Sequence, residues 1–95
     1  MSLSFDDFSL PQNIDWQNAD TQTLFDLSLA YANGEVDDEP NYILAHIFLN
    51  IAASRGCQRS IEYRKELAHD MSHDEIAKAQ KIARSLLTVQ KPKTH

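Results

Sequence analysis

The sequence is short of the residues that break or staple a chain: it has two glycines, three prolines and one cysteine in 95 residues. A single cysteine, Cys57, excludes an intramolecular disulfide and cannot by itself build a Cys-rich zinc site, so it reads as a small core residue at a helix start. With Gly34 and Gly56 both placed at the ends of apolar segments, no glycine is left for a phosphate-cradling loop. No run approaches the ~18 consecutive apolar residues that a membrane helix needs. Residues 1–10 carry Asp6 and Asp7 without a basic residue, which does not read as a secretory signal, and the cytoplasm is the expected location. No Ser/His/Asp or Cys/His motif is marked, so neither catalysis nor a cofactor is expected.

Positive charge is missing from more than half the chain. Residues 1–54 hold nine acids and no Lys or Arg, a formal charge of −9, whereas residues 55–95 hold nine bases and five acids, a charge of +4. The acidic half would repel a phosphate backbone, so a nucleic-acid partner is not expected. A basic helix-turn-helix built on Arg55, Arg59, Arg64 and Lys65 is the weaker alternative, because no recognition helix stands out.

What is present is helical periodicity. Asp20 suits an N-cap, Leu24, Leu27 and Tyr31 follow at spacings of three and four with Phe25 and Leu29 on a flank, and Asn33-Gly34 supplies a stop; a first helix is predicted over 21–33. After the acidic turn 35–40, Pro40 suits the entry to a second helix over 41–54, apolar on most of its circumference and therefore expected at the centre of the core. A third helix over 58–69 turns Ile61, Leu67 and Ala68 inward. Ser72 and Glu75 stand at capping-box spacing before a fourth helix over 73–88, whose inward stripe is Ile76, Ala79, Ala83, Leu86 and Leu87. No segment alternates with period two, so an all-α fold of two antiparallel helical hairpins is expected. Residues 1–19 read as an irregular arm packed on the helices, 20–88 as the helical domain and 89–95 as a flexible basic tail.

Tyr31-Ala32-Asn33-Gly34, Tyr42, Ala45, Phe48, Ala52-Ala53 and Gly56 resemble a Sel1-like repeat, a relative of the tetratricopeptide helix-turn-helix. The segment Met71 to Gln80, with Ser72 and Glu75, looks like the piece that closes such arrays in bacterial proteins. The sequence departs from the repeat pattern at Ser28, where the family has glycine, and in the loop after the first helix, which is a residue longer. The resemblance implies four helices stacked as an α-α solenoid-like, right-handed superhelix fragment that binds another protein or a peptide segment. Such repeats need about three stacked units for a continuous core. With two hairpins, the arm carrying Phe5, Phe8 and Trp16, or a second copy in a homodimer, is expected to cover the open end.

Three groups are candidate sites. His46, Asn50 and Ser54 recur every four residues as a polar stripe on the second helix and are read as lining a peptide groove. Phe5-Asp6-Asp7-Phe8 interleaves acids with aromatics as docking segments do, or else tucks into its own fold. His69 and His73, beside Asp70 and Asp74, suggest metal ligation by composition, but the capping box puts a helix break between them, and no metal site is expected. The function expected is a protein-interaction module, an adaptor or scaffold without catalysis. The alternative is a small bacterial or phage regulator whose acidic half blocks a basic target surface.

Overall fold

The computed structural model describes residue 15, residues 18–36 and residues 38–90, the last three for their backbone only. Among these residues there are four helices and no strand: α1 (Thr21–Ala32), α2 (Tyr42–Ser54), α3 (Gln58–Ala68) and α4 (His73–Gln90). The protein is all-α.

Three of the four helices, α1, α2 and α4, begin at a side-chain cap. The Asp20 carboxylate accepts from the Thr23 amide at 2.8 Å, satisfying an otherwise orphaned donor at the positive end of α1. That bond holds the Asp20 carboxyl below its ordinary range. Asn41, not Pro40, caps α2, its side-chain oxygen accepting from the Leu44 amide at 3.0 Å; Pro40 stands one residue outside, fixing the approach. The capping box is complete: Ser72 Oγ accepts from the Glu75 amide at 3.1 Å, and Glu75 Oε1 accepts from the Ser72 amide at 2.9 Å.

Gly34, with φ of 78°, makes the left-handed turn that ends α1. A Cβ there would also stand 3.2 Å from the Glu39 carbonyl carbon, so the loop folds back over this position. The return is clamped by the Asn41 amide, which donates to the Tyr31 carbonyl at 2.9 Å. At the other end of the hairpin, Arg55 donates to the Ala19 carbonyl at 2.8 Å. The start of α2 thus meets the end of α1 and the reverse, an antiparallel pair.

The core centres on α2. Leu44, Ala45, Ile47, Phe48, Leu49, Ile51 and Ala52 are all buried, which is possible only because other helices flank α2 on several sides. The close helix packings are α1 on α2, α3 on α2 and α4 on α2. Tyr31 and Phe48 fill the α1–α2 seam with ring centroids 5.9 Å apart. From α4 come Ala79, Ile82, Ala83 and Leu86, and from the α3 end Leu67 and Met71. In contrast, α3 and α4 come close to each other at few points, so the second hairpin is held together mainly through α2.

Two buried serines escape a periodicity based on apolar residues. Ser28 and Ser60 are both fully buried, their hydroxyls satisfied locally: Ser28 donates to the Phe25 carbonyl at 2.6 Å and Ser60 to the Cys57 sulfur at 3.1 Å. Cys57 itself is half-buried at the entry to α3, with no side-chain cap bond. The Ser60 hydroxyl bond holds its thiol below the ordinary range. A small side chain at 28 lets α1 lie close, and its size is the constraint. Ser28→Ala is expected to change unfolding free energy by less than about 1 kcal/mol, whereas Ser28→Leu overpacks the position and costs about 1–3 kcal/mol. Denaturant unfolding of the two variants reads this difference, and equal stability for both would remove the constraint.

Candidate functional site

The α3–α4 gap holds an open groove of about 480 Å³. Its floor is α2 with Asn50, Ala53 and Ser54, one wall is α3 with Ile61 and Arg64, and the other is α4 with Gln80, Ala83, Arg84 and Leu87. The helix packing explains it: α3 and α4 each lean on α2 and come close to each other at few points, which leaves Asn50, Ala53 and Ser54 of α2 partly open between them. The lining mixes apolar methyls with amides, a hydroxyl and two guanidinium groups, and holds no carboxylate.

A partly buried polar relay fixes the groove floor. Arg64 Nη1 donates to Asn50 Oδ1 at 2.8 Å, and since arginine only donates, this assigns the oxygen side of the Asn50 amide toward α3. The amide nitrogen then faces His46 Nδ1 at 2.9 Å and donates to it. His46 Nδ1 is therefore the unprotonated nitrogen, and the neutral ring carries its proton on Nε2. His46 is 1% exposed, and burial together with the nearby Arg64 charge lowers its pKa from 6.5 to about 4. An apolar helix has admitted one imidazole by satisfying its acceptor and keeping it uncharged.

The polar stripe of α2 is accordingly split. Asn50 and Ser54 line the groove, but His46 lies beneath it, buried, and cannot meet a ligand directly. The Ser54 hydroxyl donates to the Ile51 carbonyl at 2.7 Å, spending its proton on its own helix. The sequence held a signal for the burial of His46: a helix apolar on nearly all sides has no wet face to give it. Phe5 and Phe8 lie outside the described residues, as does Trp16.

The signature residues serve packing. Tyr31, Ala45, Phe48 and Ala52 are buried, Tyr42 packs partly buried against the core, and Gly56, with φ of 93°, turns the chain from α2 to α3. Ala53 is the exception, since it also lines the groove. His69 closes α3 and His73 opens α4, both exposed, and no cluster of three or more metal-ligating side chains exists among the described residues.

Three arginines read from sequence as a basic surface are cross-helix tethers. Arg59 reaches α1, its guanidinium carbon 4.4 Å from the Phe25 ring centroid and its Nη2 donating to Gln22 at 2.6 Å. The Phe25 ring in turn meets Tyr63 edge-on at 5.9 Å. Arg55 holds the Ala19 carbonyl and Arg64 holds Asn50. No helix among the described residues is long and apolar enough to cross a membrane.

Another, smaller concavity of about 230 Å³ lies on the opposite side of α3, lined by Tyr42 and Tyr63 and made acidic by Glu66 and Asp70. Burial chiefly, with Glu66, Tyr42 and Asp70 adding, raises the Tyr63 phenol above its ordinary range. Comparison of this chain with protein-family models, with curated proteins and with solved structures finds no match.

The lowered His46 pKa sets a pH dependence. The unfolded chain takes up a proton below pH 6.5 that the folded state refuses until about pH 4, so stability falls as pH drops through that window and levels off beneath it. The loss is on the order of 2–3 kcal/mol. His46→Gln keeps an acceptor but cannot titrate, so its unfolding free energy is expected to fall less between pH 6.5 and 4 than that of the wild type. Parallel pH profiles for the two proteins would contradict the assignment.

Proposed function

We propose that the protein is an interaction module, an adaptor or scaffold that captures an extended segment of another protein in the α2–α3–α4 groove, and that it performs no catalysis. The observation that carries this reading is the groove itself: an open concavity whose lining mixes apolar side chains with hydrogen-bonding groups, among them Asn50 held by Arg64. Peptide segments need that mixture, since their backbone amides and carbonyls must find partners while alternate side chains are buried. Asn50 is held in one orientation by Arg64 before any ligand arrives, which lowers the ordering cost of binding.

The groove chemistry also favours capture over reaction. Its one hydroxyl, on Ser54, is committed to a backbone carbonyl, and its charged groups are guanidiniums, which neither accept nor release protons near neutrality. The Sel1-like resemblance supports the same reading, with Tyr31, Phe48, Ala45 and Ala52 in the packing roles such a repeat requires. On this reading the chain is a short two-hairpin member of that class, and the groove is its inner, ligand-binding surface.

Gln80 and Arg84 are exposed on the groove wall, so changing them should leave the core intact. Affinity capture followed by mass spectrometry, with wild type and a Gln80→Glu/Arg84→Glu variant as baits, tests the reading. The variant is expected to remain folded, with a cooperative melting transition, and to lose at least one protein that the wild type enriches. Recovery of the same proteins in equal amounts by both baits would remove the groove from the binding surface.

A further inference from the structure

The groove is positively charged, half-apolar and close to the place where the leading segment of the chain enters the fold. Its charged residues are Arg64 and Arg84, with no carboxylate among its lining, while Ile61 and Leu87 leave part of their side chains uncovered within it. Val36, 49% exposed, is the one exposed large apolar side chain among the described residues, and it stands on the loop after α1, outside the groove.

The entry point of the leading segment is fixed beside it. Arg55 follows Ser54 of the groove floor directly and binds the Ala19 carbonyl, so the chain preceding α1 starts from the Ser54 end of the groove. Ten Cα steps separate residue 18 from residue 8, a reach of up to ~33 Å when extended, against the ~10 Å diameter of a helix that the chain must round. Within that reach stands Phe5-Asp6-Asp7-Phe8, two aromatic rings flanking two carboxylates.

We propose that Phe5-Asp6-Asp7-Phe8 occupies the α2–α3–α4 groove of its own chain, its rings against Ile61 and Leu87 and its carboxylates toward Arg64 and Arg84. The competing concavity on the other side of α3 carries Glu66 and Asp70, which repel Asp6 and Asp7. Covering the groove supplies the third layer that two hairpins lack, and it makes the segment an internal competitor. A partner peptide must displace it, so the groove is occupied until a ligand of matching character arrives. The inference rests on the groove being a peptide-binding surface, and it adds the identity of the resident occupant and the acidic, aromatic chemistry a partner must share.

The test uses the full chain with Phe8 replaced by its photoreactive analogue p-benzoyl-phenylalanine. Irradiation at low concentration followed by peptide mapping is expected to place the cross-link within residues 50–64 or 80–87 of the same chain, at monomer mass. Adding Arg84→Glu to that protein is expected to lower the yield roughly fivefold, and 1 M salt to lower it as well, because the charge pairing at the rim is reversed or screened. Cross-linking at dimer mass into the same residues would overturn the intramolecular occupant while leaving the groove as a binding surface. Cross-links confined to α1 or to the Glu66–Asp70 side, or none at all, would overturn the proposal outright, and the bait comparison above decides the groove reading independently.

Discussion

An α-helix that is apolar on almost every side has to be surrounded, and that requirement on α2 organises the molecule. From Leu44 to Ala52 every residue but Asn50 is buried, whichever way its side chain points. One helix can shield only a fraction of another's circumference, so α1, α3 and α4 must all pack on α2. Having committed their apolar stripes to α2, α3 and α4 have little left for each other. The groove is the geometric remainder of that arrangement, present because the shared centre takes precedence over the second hairpin.

The same constraint explains the treatment of polar groups. His46 sits on the helix that can least accommodate it, so it is neutral, with its acceptor nitrogen satisfied by Asn50 and Asn50 oriented by Arg64. A chain of side-chain bonds thereby ties α2 to α3 at the groove floor. Arg55 and Arg59 extend the pattern toward the start of α1, so arginines beyond residue 54 meet partners in the base-free first half of the chain. The charge asymmetry of the sequence is in part an internal matter, with guanidiniums answered by amides, a carbonyl and an aromatic face.

Local chemistry was readable from the sequence because it depends on neighbours along the chain. The Asp20 cap, the glycine turn at 34, the capping box at Ser72 and Glu75, and the four helices within one or two residues of their ends all follow from such signals. What depends on the other helices was not readable. Ser60 looks like a surface residue, because its hydroxyl can be satisfied within its own turn and then be buried for its small size, whereas Ser28 stood out only through the repeat pattern, where it replaces a glycine. Ile82 fell outside the expected stripe of α4 although it faces α2. The His46–Asn50–Ser54 spacing puts the three on one side of α2, and the apolar surroundings of α2 argue for burial of the first, but the Arg64 bond that orients Asn50 comes from another helix and was not readable.

Native-state hydrogen exchange of the full chain addresses the central role of α2 most directly. Amides from Phe48 to Ala52 are expected to exchange only through global unfolding, with a free energy matching denaturant unfolding, while amides of α3 and of α4 beside the groove open through smaller, local events. Exchange of the α2 amides by local opening, as fast as or faster than those of α3, would contradict the account.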